Sequence, residues 1–71
     1  MWALICDEED GELRVVPEDI ARDSYLRGKH FFGKWKLRTT NADEEVLLHM
    51  ARMTGWYQET FGDVTVFSKS A

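Results

Sequence analysis

The chain has 71 residues, a net charge of −4 and one cysteine, Cys6. A single cysteine excludes an intramolecular disulfide and a cysteine-rich zinc site. An apolar content of 44% with 13% aromatic residues is typical of a globular rather than a disordered chain, so we expect a single domain over residues 1–71.

The charges are unevenly distributed along the chain. Residues 1–23 carry a net charge of −6, residues 24–38 carry +5 with no acid, and residues 39–71 carry −3. The modest total therefore conceals an acidic start, a basic middle and a mildly acidic end.

The first elements form a predicted β-hairpin. The apolar run WALICD (2–7) indicates a strand covered on both faces, and Asp10-Gly11 is a favoured hairpin dipeptide. The next segment, ELRVV (12–16), alternates, with Leu13 and Val15 on one face and Arg14 on the other.

A short helix is predicted to follow. Pro17 suits a helix start, acidic residues fill the first turn, and Gly28 suits a left-handed end. The predicted buried face consists of Ile20, Ala21, Ser24 and Tyr25.

The basic stretch RGKHFFGKWKLR (27–38) predicts a half-buried strand. With a period of two, one face is basic and the other apolar. The basic face carries His30, Phe32, Lys34, Lys36 and Arg38. The apolar face carries Phe31, Gly33, Trp35, Leu37 and Thr39.

The segment NADEEVLLHMARMTG (41–55) gives the strongest local prediction, a helix. Asn41 is the predicted N-cap with Glu44 in a capping-box position, and Gly55 is placed to end the helix. The predicted buried stripe is Val46, Leu47, Met50 and either Met53 or Ala51.

The last segment, WYQETFGDVTVFSK (56–69), predicts two strands joined at Gly62-Asp63, a type II′ hairpin pair. The alternative extends the preceding helix through Trp56–Thr60. The hairpin gives the order β-β-α-β-α-β-β, a small α+β domain with a mostly antiparallel sheet, and we expect both helices on one face.

Two charged surfaces are candidate binding sites. Lys34, Lys36 and Arg38 could follow phosphates while Phe32 or His30 stacks on a base, but the same face could meet an acidic protein or the chain's own acidic segment. Two acidic clusters, Asp7–Asp10 with Glu12 and then Glu18, Asp19 and Asp23, could enter a basic groove by imitating phosphates. They could equally be a solvated hairpin tip and a helix start that complements the dipole. Within them, Glu8, Glu9 and Asp10 are the candidate contacts.

Nothing in the sequence predicts catalysis. Cys6 lies in an apolar run, where burial makes a thiol inert, and His30 and His49 match no catalytic spacing. Glu45 and His49 are four apart on a helix but lack a third ligand. We therefore expect no catalytic residue, metal or cofactor.

The aromatic residues near the end of the chain are too many for one sheet face. Trp56, Tyr57, Phe61 and Phe67 cannot all be buried there, so we expect one or two to be exposed, and Trp56 and Tyr57 are candidate contacts.

Together these features favour a small non-catalytic protein-interaction module, an inhibitor or adaptor that occludes a macromolecular surface. A phage or mobile-element inhibitor of a host nucleic-acid enzyme or defence complex would be one example. The alternatives are a nucleic-acid-binding module that uses the basic strand and a structural homo-oligomer. We expect a cytoplasmic protein with no membrane partner, because the opening apolar run is too short for a membrane span.

Overall fold

The computed structural model describes residues 1–26 and 35–69. His30, Phe32 and Lys34 of the predicted basic face, and the predicted helix end at Gly28, lie outside these residues. The described strands are β1 (Trp2–Asp7), β2 (Glu12–Pro17), β3 (Trp35–Asn41), β4 (Tyr57–Phe61) and β5 (Val64–Ser68). The helices are α1 (Glu18–Ile20), continued by a π-helical segment (Ala21–Tyr25), and α2 (Glu44–Arg52).

The five strands form one sheet in the order β3-β1-β2-β5-β4, and every neighbouring pair is antiparallel. The predicted α+β class and order of elements are confirmed. The apolar strand β1 lies between β3 and β2, with residues 3–7 all buried. Its uninterrupted apolar sequence is explained by this inner position, because both of its faces are covered.

The first hairpin forms as predicted. Asp7 pairs with Glu12, and Gly11 adopts a φ of +70°, a left-handed conformation that glycine reaches without steric cost. The Gly11 amide donates to the Asp7 carbonyl at 2.9 Å and closes the loop. Leu13 and Val15 are buried on the face opposite Arg14, in agreement with the alternation of the sequence.

The first helix differs from its prediction. After the single turn of α1 the backbone widens into a π-helical turn, in which the Leu26 amide donates to the Ala21 carbonyl at 2.7 Å. A π-turn holds one more residue than an α-turn and so shifts the buried face. Ala21 is buried, whereas Ile20 and Ser24, predicted on the same face, are exposed.

The two helices lie on opposite faces of the sheet, so the prediction of one shared face is wrong. One cluster packs Leu47, Leu48 and Ala51 of α2 against one face. A second cluster packs Ala21, with Tyr25 and Leu26, against the other face. The physical reason is that β1 carries apolar side chains on both sides, and each side requires its own cover.

Strand β3 contains an irregularity that the period-two pattern could not show. Leu37 pairs with Ile5 and Thr39 pairs with Leu4, so Arg38 is an extra residue. This bulge changes which face the following side chains occupy. Thr39 consequently does not share a face with Leu37, and Lys36 and Arg38 do not form a regular row.

The N-cap of helix α2 lies two residues later than the predicted one. Asp43 is the N-cap, and its carboxylate accepts from the Glu45 amide at 3.0 Å. Asn41 is the last residue of β3, paired with Trp2, and its side chain accepts from the Asp43 amide at 2.8 Å. The helix also ends earlier than predicted, at Arg52 with Met53 as its C-cap. Gly55 lies in the turn that follows, where it has a φ of +77° and its amide donates to the Arg52 carbonyl at 3.0 Å.

The predicted buried stripe of α2 is confirmed at Leu47 and at the alternative Ala51, and is wrong at Val46 and Met50. Leu47, Leu48 and Ala51 are buried. The outer stripe, by which we mean Val46, Met50 and Met53, is exposed. Both sets repeat at helical spacing, so the sequence left the rotation of the helix undetermined.

The last hairpin forms as predicted, and the helix extension through residues 56–60 is wrong. Tyr57 pairs with Ser68 and Phe61 with Val64 across a two-residue turn in which Gly62 has a φ of +59°.

Neither helix in the described part of the chain has the length and apolar composition needed to cross a bilayer.

Candidate protein interface

One end of the sheet brings together several of the predicted contact residues. The register places five residues in one row across all five strands. They are Trp35, Asp7, Glu12, Ser68 and Tyr57. We call this row and the loop beside it the hairpin end of the sheet. At about 4.8 Å per strand, the row is about 19 Å wide.

The acidic turn, defined as Glu8, Glu9 and Asp10, projects from the hairpin end. All three residues are exposed, while Asp7 is buried beneath them. The Asp7 carboxylate accepts from the Glu9 amide at 3.0 Å and the Asp10 amide at 3.3 Å. Such a local side-chain-to-backbone arrangement fixes the shape of the loop, so the exposed carboxylates extend from a defined backbone.

Lys69 supports the other side of the loop. Its amide donates to the Gly11 carbonyl at 2.9 Å, and its ammonium lies 5.8 Å from the centre of the Trp56 ring. Trp56 itself is half-buried and packs against the α2-side core cluster. Its predicted role as a partner contact is therefore restricted to the part of the ring that solvent reaches.

The close approach of Lys69 makes Gly11 sensitive to substitution. A Cβ atom at Gly11 would lie 3.0 Å from Lys69 Cδ and 3.1 Å from its Cβ, and the φ of +70° is itself unfavourable for alanine. We expect Gly11→Ala to lower the free energy of unfolding by about 1–2 kcal/mol, measured by urea denaturation.

Gly62→Ala is the matched control, because Gly62 also has a positive φ but meets nothing within 4 Å. Its cost should be confined to backbone strain and should be the smaller of the two. Equal costs would contradict a contribution from the contact with Lys69.

Contact between the basic face and the chain's own acidic segment, one of the alternatives that the sequence left open, occurs once among the described residues. Lys36 Nζ lies 3.9 Å from Glu8 Oε2, and both side chains are 68% exposed. An ion pair with this exposure contributes little to stability. Arg38 is also exposed on β3. Lys36 and Glu8 thus remain accessible to a charged partner.

Two aromatic side chains are exposed on β4. Tyr57 is 57% exposed and Phe61 is 60% exposed, whereas Phe67 is fully buried. The expectation of one or two exposed aromatics is confirmed. Tyr57 belongs to the hairpin end, while Phe61 lies at the opposite end of β4.

Arg14 has a structural role that the sequence did not predict. On the face covered by the π-helical segment, its guanidinium lies 5.1 Å from the centre of the Trp35 ring and 5.6 Å from that of Tyr25. It donates to Tyr25 Oη at 2.9 Å and to Glu12 Oε1 at 3.0 and 3.1 Å. No local pattern in the sequence indicates this contact. Arg14 lies on β2 and Trp35 on β3, the two strands that flank β1, so they come together only in the folded sheet.

The pKa of Arg14 reflects two opposed effects. Burial acts to lower it, but the hydrogen bonds to Glu12 and Tyr25 outweigh burial, so the pKa is raised above its ordinary value. Arg14 is therefore charged at every pH at which the protein would be studied.

The groups considered for chemistry are dispersed. Cys6 is buried within the α2-side cluster, whereas His49 is exposed on α2. Over residues 1–26 and 35–69, no pocket is present and no three His, Cys, Asp or Glu side chains are grouped as metal ligands.

No protein-family model, curated protein or solved structure matches this chain.

Proposed function

We propose that this protein is a small non-catalytic protein-interaction module, an inhibitor or adaptor that occludes a macromolecular surface through its hairpin end. The observation that carries the proposal is the placement of an exposed aromatic side chain, Tyr57, at one end of the cross-strand row whose inner residues, Asp7 and Glu12, flank the acidic turn.

An exposed aromatic beside charges is the composition of a protein-binding surface. Tyrosine supplies contact area at a low cost in conformational entropy, and it is enriched among the residues that dominate binding energy. The charges of the acidic turn add long-range attraction and orientation. Tyr57 lies two strands, about 10 Å, from Glu12, the first residue of β2 after the acidic turn. A partner surface that carries basic side chains, with an apolar contact about 10 Å away from them, would therefore complement this end.

The proposal is occlusion rather than catalysis, since the hairpin end offers exposed charges and an aromatic side chain, and the part of the chain that the structure describes contains no pocket. An inhibitor needs only shape and charge to cover a partner's surface. A phage or mobile-element inhibitor of a host nucleic-acid enzyme or defence complex would be such a protein. The proposal places it in the cytoplasm, where small domains without disulfides are common.

The acidic turn provides the test. Affinity capture from cells that contain the protein, with and without nuclease, isolates the partner, and association rates are then measured over a range of salt concentrations. The triple variant Glu8→Ala, Glu9→Ala and Asp10→Ala should associate about tenfold more slowly at low salt, and its rate should depend less on salt.

The control is a second triple variant, Asp19→Ala, Asp23→Ala and Asp63→Ala. It also loses three negative charges, but from exposed positions away from the hairpin end. Both variants change the net charge from −4 to −1. A purely global charge effect would slow both equally and would contradict a role for the acidic turn. Capture that disappears with nuclease would contradict a protein partner.

A further inference from the structure

Strand β4 is the outermost strand of the sheet on the side away from β3. In the part of the chain that the structure describes, β4 pairs with β5 alone, and all five of its residues are exposed. An outer strand presents a row of backbone N–H and C=O groups that can form hydrogen bonds with a further strand.

The side chains of β4 follow a specific pattern on one face. Tyr57, Glu59 and Phe61 pair with Ser68, Val66 and Val64 of β5, which places the three on the same face at alternate positions. Val64 packs against the cluster beneath the π-helical segment, so Phe61 extends an existing apolar surface to the sheet edge. The edge therefore displays an aromatic, an acid and an aromatic in sequence.

Glu59 decides which strand this edge can accept. A second copy aligned about Glu59 would place Tyr57 opposite the other copy's Phe61, a favourable pair, but would also place the two Glu59 carboxylates directly opposite each other. Like charges in directly opposed positions are destabilising. Among the residues that the structure describes, no ion pair involves Glu59, so none of them neutralises its charge.

We infer that the outer edge of β4 accepts an extended segment of a partner protein that carries a lysine or arginine opposite Glu59, with apolar residues two positions to each side. The apolar residues pack on Tyr57 and Phe61, and backbone hydrogen bonds continue the sheet. This inference concerns the partner of the proposed interaction module and rests on that proposal, although it uses a different surface from the acidic turn.

The protein itself can present such a segment in a folded form. The variant Glu59→Lys carries a cation at the centre of β4 while keeping both aromatics and the strand geometry. A mixture of the wild type and this variant should form a heterodimer through the two β4 edges. Each protein alone should remain monomeric, because its own central charges repel.

The experiment titrates isotope-labelled wild-type protein with the unlabelled Glu59→Lys variant up to about 1 mM, at which even millimolar binding is measurable. We expect saturable shifts of the β4 backbone amides and an affinity at least about tenfold greater than that of wild-type self-association. Added salt should weaken the complex.

Asp19→Lys is the matched control, since it makes the same change in charge at an exposed position of α1, outside the sheet. Its mixture with the wild type should show no β4 shifts. The absence of a complex with folded Glu59→Lys would overturn the inference and reduce Glu59 to a charge that protects the edge. A wild-type homodimer through β4 would overturn it in favour of a second copy.

Glu59→Gln keeps the inference testable if Glu59→Lys does not fold. Removal of the central repulsion should allow weak homodimerisation with shifts at the β4 amides, and a strictly monomeric Glu59→Gln protein would contradict pairing at this edge. None of these outcomes depends on the acidic turn, so the edge and the proposed function can fail separately.

Discussion

Arg14→Met is expected to lower the free energy of unfolding by about 2–3 kcal/mol, a large part of the roughly 4–10 kcal/mol typical of a domain of this size. The variant keeps an unbranched apolar stem but loses two kinds of interaction. One is the charge-assisted hydrogen bonding to Glu12 and Tyr25, and the other is the contact with the Trp35 and Tyr25 rings. Urea denaturation monitored by circular dichroism measures the loss.

Arg22→Met is the matched control for this prediction. Arg22 also forms an ion pair, at 2.9 Å with Glu18, but its side chain is 59% exposed. Its substitution should cost no more than about 0.5 kcal/mol. Arg14→Lys should fall between the two, since lysine keeps the charge but cannot reproduce the planar fork. Similar losses in Arg14→Met and Arg22→Met would contradict a contribution to stability from the hydrogen bonds and ring contacts of Arg14.

The pH dependence of this contribution follows from the direction of the pKa shift. A basic group whose pKa is raised on folding contributes stability that is fully present below its pKa in the unfolded chain and is lost only as the pH rises through the folded value. For arginine both values lie far above neutrality. The difference between the wild type and Arg14→Met should therefore be constant from about pH 6 to pH 9.

The order of elements could be predicted because it depends on local chemistry. Glycines mark the turns at 11 and 62 and the turn after α2 at 55, and each has the positive φ that its position requires. The burial of β1 on both faces could also be predicted, from its uninterrupted apolar run. A strand buried on both faces needs a cover on each side, which is inconsistent with the prediction that both helices share one face.

The features that could not be predicted all depend on contacts between distant segments. The bulge at Arg38 arises where β3 meets β1, and the first helix widens into a π-helical turn where Ala21 is buried against the sheet. The candidate interface shows the same limit. Its charged residues were named from composition, but their alignment with Tyr57 requires the pairing of β2 with β5 and β5 with β4.

The rotation of α2 is the clearest case of a local pattern with two solutions. Apolar residues at 46, 50 and 53 and at 47, 48 and 51 both repeat at helical spacing. The small side chain of Ala51 faces the sheet and is fully buried, which allows the helix to approach closely. The two leucines then fill the space above the sheet, and the two methionines point away.

Leu48→Ala and Met50→Ala distinguish these two rotations. Leu48 is 6% exposed and belongs only to the buried stripe, whereas Met50 is 45% exposed and belongs only to the stripe predicted from sequence. We expect Leu48→Ala to lower the free energy of unfolding by about 2–5 kcal/mol, because its loss removes buried contacts and leaves a cavity. Met50→Ala should change it by no more than about 0.5 kcal/mol.

Both substitutions are to the best helix-forming residue, so helix propensity does not separate them and the difference measures burial. Urea denaturation of the two variants beside the wild type gives the comparison, provided that the slopes of the transitions agree. A larger loss for Met50→Ala than for Leu48→Ala would mean that α2 packs through its outer stripe. In that case Val46, Met50 and Met53 would be the side chains buried between α2 and the sheet.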